Sequence, residues 1–128
     1  GQMSKLNILD ISNTQIGDEG ISYIRNLDAL KVLDISETQI TNNALKQLGK
    51  IDSIEKLYLR STNIDGNGII HLIRLMNLKS LNIASTKITR DSFRLIIKLK
   101  KLKQLWLPFS LSEYERKQLL NNYRITVY

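Results

Sequence analysis

The chain contains no cysteine, which excludes a disulfide framework, a thiolate nucleophile and any zinc site built on sulfur, and gives no reason to place it in an oxidising compartment. No run of about 18 apolar residues occurs, so nothing in the sequence reads as a membrane-spanning helix. Gly1 to Ser4 lack the basic start and apolar stretch of a secretory signal, and Gly1 and Gln2 ahead of Met3 have the form of residues added before a start. Histidine is represented only by His71, proline only by Pro108 and tryptophan only by Trp106. His71 sits between Ile70 and Leu72 on an apolar segment and reads as a rim position on a helix. No Ser/His/Asp arrangement, HExxH, phosphate-binding loop or dinucleotide fingerprint is present, so we expect a non-enzyme without metal or other cofactor. The run Asp65-Gly66-Asn67-Gly68 lacks the later glutamate and alternating ligands of a calcium loop and reads as a turn before a helix.

What the chain does have is repetition. Leu9, Leu33, Leu57, Leu81 and Leu105 follow one another at a constant step of 24 residues. Leu6, Leu30, Ile54, Leu78 and Leu102 form the column three residues earlier, and Ile11, Ile35, Leu59, Ile83 and Leu107 the column two residues later. A hydroxyl column follows, Thr14, Thr38, Thr62, Thr86 and Ser110, then Ile16, Ile40, Ile64 and Ile88. The unit is LxxLxLxxTxI, a turn, and a segment with apolar residues three apart, such as Leu45, Leu48 and Ile51. Steps of two predict a half-buried strand, and steps of three a short helix or helical turn. A unit of this size cannot enclose a core alone, so strands must stack on strands and helices on helices. Before the helical column stand Gly20, Ala44, Gly68 and Ser92, small residues that predict close packing between successive helices. The hydroxyls lie where each strand bends, and a stacked ladder of them would satisfy backbone groups there.

The segment LKVLDISETQITNNALKQLGKIDS resembles the leucine-rich repeat, close to its ribonuclease-inhibitor-like and cysteine-containing subclasses, with Thr at the position usually held by Asn or Cys. The resemblance implies an α/β fold: a right-handed solenoid with a concave parallel β-sheet and helices on the convex side. It implies function by protein–protein recognition and extends to bacterial proteins, including effectors delivered into host cells, and to eukaryotic substrate receptors of ubiquitin ligases. The expected location is therefore cytoplasmic or inside a host cell. Residues 1–128 read as one domain, with repeats starting near 6, 30, 54, 78 and 102 and a C-terminal cap over 112–128. In the cap, Ser112 and Glu115 form a capping box for a helix over 113–121, and 124–128 form a short strand. No amphipathic segment precedes Leu6, which leaves a fragment of a longer protein, or a first strand that is uncapped or paired in an oligomer.

In such a strand the residues between the leucines project from the concave face. We single out Asp10, Asp34, Glu37, Lys56, Tyr58, Arg60, Asn82 and Trp106 as partner-binding candidates, with Ser80 among the projecting residues and Phe109 just beyond them. Trp, Tyr and Arg are enriched in binding hot spots, although Trp106 can equally serve as a lid on the terminal strand. Acidic residues at one end of the face and Lys56 and Arg60 nearer the other would orient a charged partner. The net charge of +7 resides in the second half, where residues 65–128 hold twelve Lys/Arg against four Asp/Glu. Lys98, Lys100, Lys101 and Lys103, with Lys79, Lys87, Arg90 and Arg94, predict a basic patch that could meet nucleic acid or an anionic membrane in an alternative reading.

Overall fold

The computed structural model describes residues 5–128, so the reading of Gly1 to Ser4 lies outside the described residues. Each strand is short, and the strands follow in chain order: β1 (Ile8–Asp10), β2 (Val32–Asp34), β3 (Lys56–Tyr58), β4 (Ser80–Asn82), β5 (Gln104–Trp106) and β6 (Thr126–Val127). They form one six-stranded, wholly parallel sheet in sequential order. The register follows the repeat, with Leu9, Leu33, Leu57, Leu81 and Leu105 side by side and Val127 next to Leu105. Between strands run the helices α1 (Asp18–Ile21), α2 (Asn42–Leu48), α3 (Ile69–Leu72), α4 (Phe93–Ile96) and α5 (Glu113–Tyr123), with a 3-10 turn leading into α3 at Gly66–Gly68 and into α4 at Arg90–Ser92. This is the right-handed leucine-rich-repeat solenoid that the sequence pattern implies, although most of its helices are only a turn long.

The core is the set of columns read from the sequence. Leu33, Leu57, Leu81 and Leu105 are fully buried, as are Ile35, Leu59 and Ile83 two residues on, and Leu45, Leu48 and Leu72 on the helices. In the first repeat Leu6, Leu9, Ile11 and Ile16 are only partly buried, because a neighbouring repeat covers them on one side among the described residues. Apolar burial stabilises a stack in proportion to the area each neighbour removes from water.

The bends differ from the expected hydroxyl ladder. The hydroxyls of Thr14, Thr38, Thr62 and Thr86 each donate to the carbonyl three residues back, on Ile11, Ile35, Leu59 and Ile83, at 2.6–2.8 Å. Among the described residues no hydroxyl of this column bonds to the next; each returns to a carbonyl at the end of its own strand. Ahead of these hydroxyls Asn13, Glu37, Ser61 and Ser85 adopt left-handed backbone, with φ of 52–56°. There the N–H groups of Asn13, Glu37 and Ser61 are aimed at carbonyls of the next repeat, on Ser36, Arg60 and Ala84. Among the described residues Phe109, in the corresponding place beside Pro108, does not share that conformation.

The small-residue column is only partly what the sequence predicts. A Cβ on Gly68 would meet Leu45 Cδ1 at 2.6 Å and Asn42 Oδ1 at 2.4 Å on the preceding helix, whereas one on Gly20 would strike Ile16 of its own repeat. The tightest approach was not anticipated: a Cβ on Gly49 would lie 2.3 Å from the carbonyl oxygen of His71. At the C-terminus the Ser112–Glu115 capping box is formed and α5 runs two residues beyond the expected end. Arg124 caps it in left-handed conformation (φ 58°) instead of starting the strand, which begins at Thr126.

A side chain cannot be added where backbone already occupies its place, whereas Gly17 has nothing within 4 Å of its Cβ position. Gly49→Ala should therefore cost about 1–3 kcal/mol, and Gly17→Ala less than about 1 kcal/mol. Urea unfolding of the two variants beside wild type checks this, and similar midpoints would contradict the packing described.

Candidate recognition surface

Because each leucine of the strand centre points inward, its neighbours stand on the concave sheet face in register. The middle column is Asp10, Asp34, Tyr58, Asn82 and Trp106. Three of these already have local work. Asp10 Oδ1 accepts the Ser12 N–H at 2.9 Å, Asp34 Oδ1 the Ser36 N–H at 2.9 Å and Asn82 Oδ1 the Ala84 N–H at 3.0 Å. These are Asx turns that hold the chain as it leaves the strand. The Ser12 hydroxyl and N–H both bond to the Asp10 carboxylate and hold its pKa below the ordinary 3.8. The recurring Asp-x-Ser of residues 10–12 and 34–36 was the available signal for this structural use.

Where the column carries an aromatic ring it makes different contacts. Tyr58 and Trp106 lie two strands apart, about 9.6 Å at normal strand spacing. Their ring centroids are nevertheless 6.4 Å apart, edge to face, across the strand that carries the shorter Asn82. Trp106 in turn stacks on Tyr128, with centroids 4.7 Å apart and planes 18° from parallel. Tyr58 and Trp106 are half-buried and Tyr128 is 57% exposed. The sequence reading missed Tyr128, although it follows Val127 as Trp106 follows Leu105. Trp106 thus covers the terminal strand through Tyr128 while its remaining surface faces outward.

Other predicted residues fall out differently. Lys56 is exposed on the column beside Tyr58. Glu37 and Arg60 form an ion pair with each other at 3.3 Å, both about half exposed, so they neutralise one another and do not act as separate poles. The acidic end of the face is left to Asp10 and Asp34. Ser80 projects on the same face but is buried, since the side chain of Gln104 lies over it and accepts its hydroxyl proton at 2.6 Å. Phe109 belongs to the turn side of the last repeat: it meets Phe93 edge-on at 5.6 Å and lies under the Arg90 guanidinium.

The basic cluster divides in the same way. Lys79 pairs with Glu55 at 3.0 Å, which holds the Glu55 carboxyl below its usual value, and Lys101 donates to Asn77 at 2.9 Å. Arg90 is a staple, bonded to Glu115 and to the Ser110 carbonyl. Arg94, Lys98, Lys100, Lys103 and Arg124 are all exposed, and among the described residues none has a carboxylate partner. His71 is half-buried beside the Gly49 approach and takes part in no polar cluster among the described residues.

Residues 2–24 match a family model described as Leucine Rich repeat. No curated protein matches the sequence. Among solved structures, an internalin from Listeria monocytogenes str. 4b F2365 is similar over 86% of this chain, at 24% identity and a TM-score of 0.58. This chain spans 36% of that internalin. The structure of leiomodin-1 actin-binding site 2 is similar over 94% of this chain and 80% of its own, at 15% identity and a TM-score of 0.67. At such identities the likeness is one of fold.

Asp34→Ala should cost about 1 kcal/mol by leaving the Ser36 N–H without its acceptor. Asp34→Asn should recover most of that loss, since an amide oxygen serves the same turn at Asn82. Because the Asp10 carboxylate titrates below 3.8 in the folded chain, its turn bond should survive mild acid and disappear only as pH falls through that lowered value. Chemical shifts of the Ser12 amide against pH, with urea midpoints for the Asp34 variants, provide the measurements; an Asn variant as weak as the Ala one would rule out the turn role.

Proposed function

We propose that the chain is a recognition module that holds a protein partner against the concave sheet, anchored on Tyr58, Trp106 and Tyr128 and oriented by Asp10 and Asp34 at the far end. The observation that carries this reading is the aromatic strip, a set of partly exposed rings fixed on rigid strands and flanked by Lys56. Large rigid rings lose little side-chain entropy on binding and supply most of the energy where they meet a pocket. The Glu37–Arg60 pair and Asn82 sit beside them as polar groups that fix register. Leiomodin-1, whose similar fold is named for an actin-binding site, gives one case in which this architecture serves a macromolecular partner. In this reading residues 1–128 act as one binding unit without catalysis of their own, and 112–128 close the C-terminal end of the core. The subclass and a bacterial effector-type role, in the cytoplasm or after delivery into a host cell, belong to the same proposal. An irregular composition rich in Ile, Lys and Asn fits the bacterial or effector-like origin.

The test compares partner capture by wild type and by a Tyr58→Ala, Arg60→Ala, Trp106→Ala variant, each shown by circular dichroism to be folded. A fall in affinity of at least about tenfold is expected, since a central aromatic truncation typically costs about 2 kcal/mol or more. Undiminished capture by the folded variant would remove the concave face from the account.

A second reading rests on Arg94, Lys98, Lys100, Lys103 and Arg124, cations without carboxylate partners among the described residues, which would meet a nucleic acid or an anionic membrane. Changing Lys98, Lys100 and Lys103 to Gln should then weaken binding to a phosphate-rich probe and lower its salt dependence by roughly one unit of slope for each phosphate no longer engaged. Salt-independent binding, or none, would leave only the concave reading.

A further inference from the structure

On the helix side of the solenoid, polar side chains tie each repeat to the next, and one of these rungs is missing. In the first, Asp18 accepts the Thr41 N–H at 2.7 Å and the Thr41 hydroxyl at 2.5 Å. In the second, Asn42 accepts the Asp65 N–H at 3.0 Å and donates to the Asp65 carboxylate at 2.7 Å. The third would start from residue 66 and reach Thr89, but residue 66 is glycine. The Thr89 N–H, equivalent to those of Thr41 and Asp65, donates no hydrogen bond among the described residues.

A second observation points into the same gap. Ser92 is 5% exposed as a residue, and among the described residues its hydroxyl, reached from the groove it lines, has no hydrogen-bond partner. Its Oγ lies 2.7 Å from the place a Cβ on Gly66 would take, so it faces the start of the absent rung. Between the repeats opens a groove of about 510 Å³, lined by Gly66, Thr89 and Ser92, by Ile70 and Leu95, and by Lys87 and Arg94. That volume lies within the range of small-ligand sites.

We propose that this groove binds a carboxylate on an apolar stem, which accepts hydrogen bonds from the Thr89 N–H, the Thr89 hydroxyl and the Ser92 hydroxyl and so completes the third rung. The first rung gives the chemistry: there a threonine N–H and hydroxyl converge on a carboxylate, and Thr89 presents the same pair of donors. A carboxylate is acceptor-only and brings two oxygens with about four lone-pair sites, enough for all three donors, whereas an amide has a single oxygen to offer. Asp65 and Asp91 also line the groove and offset Lys87 and Arg94, so recognition rests on the unused donors and not on net charge. Asn42 and the Asn67 N–H both donate to Asp65 Oδ1, and among the described residues Thr89 donates to neither oxygen of that carboxylate. Ile70, 49% exposed, and Leu95 offer apolar surface to the stem. The site is separate from the concave sheet and does not depend on what binds there.

The experiment titrates the 15N-labelled full chain with sodium hexanoate, with N-acetylglutamate amide as a peptide-borne carboxylate, and with hexanol as a neutral control. Saturable shifts of the Thr89 and Ser92 amides are expected with the carboxylates alone. Tighter binding of hexanoate would assign the site to a free acid, and tighter binding of the glutamate derivative to an acidic side chain of a partner. Gly66→Asp places a carboxylate of the chain in the rung, and its Cβ, 2.7 Å from Ser92 Oγ, turns that hydroxyl aside, so it should weaken ligand binding by about tenfold or more. Ser92→Ala, which keeps the small side chain and removes one donor, should weaken binding with the sheet resonances unmoved. The proposal is overturned if no carboxylate shifts Thr89 saturably, if hexanol acts equally, or if both variants bind as wild type does.

Discussion

The structure depends on stacking: a unit of one three-residue strand and one helical turn has no interior of its own. Leu57 is fully buried with Leu33 and Leu81 beside it at strand spacing, in one core with the buried Leu45, Ile69 and Leu72 of the helix side. Burial is therefore a property of neighbours, and it fades in the first repeat, where Leu9 and Ile11 are covered from one side among the described residues. The same constraint fixes the sheet as parallel and in register, since any slip would turn a leucine column toward water. It also explains why helices as short as α3 and α4 persist: they would not form alone and are held by packing.

Given that stack, the polar groups divide into those that make the bends and those left over. The first four strands each lead into a left-handed residue and a threonine hydroxyl returned to the backbone, and in three of these repeats an Asx turn from the concave column joins them. Asp10, Asp34 and Asn82 are thus structural before they are anything else. Tyr58 and Trp106 replace that turn residue in their repeats and give its place to aromatic surface. The recognition candidates that remain free for a partner are consequently fewer than the exposed columns imply: the rings, Lys56 and the outer carboxylate oxygens.

Cross-repeat side chains add a second level of cohesion. Asp18, Asn42, Arg90 and Asn77 each reach the backbone or a side chain of a neighbouring repeat, and they differ from repeat to repeat where the apolar columns do not. Hydrophobic contact is non-directional and tolerates any residue of suitable size, so its signature recurs. A hydrogen bond between repeats needs two particular groups at one distance, so each rung is made differently and one is left open at Gly66.

The sequence by itself determined the period, the alternation within each strand, the inward columns and the capping box at Ser112 and Glu115, because all of these follow from spacing along the chain. It also placed Tyr58 and Trp106 on the outward column. Tertiary structure alone decided that Glu37 is paired with Arg60, that Ser80 is covered by Gln104, that Phe109 turns to Phe93 and that Trp106 stacks on Tyr128. It alone showed that Gly49 is set against the carbonyl of His71 and that Thr89 and Ser92 are left without acceptors among the described residues. The physical reason is range: periodicity records which way a side chain faces, whereas a partner in another repeat is chosen by reach and angle once the repeats have been stacked.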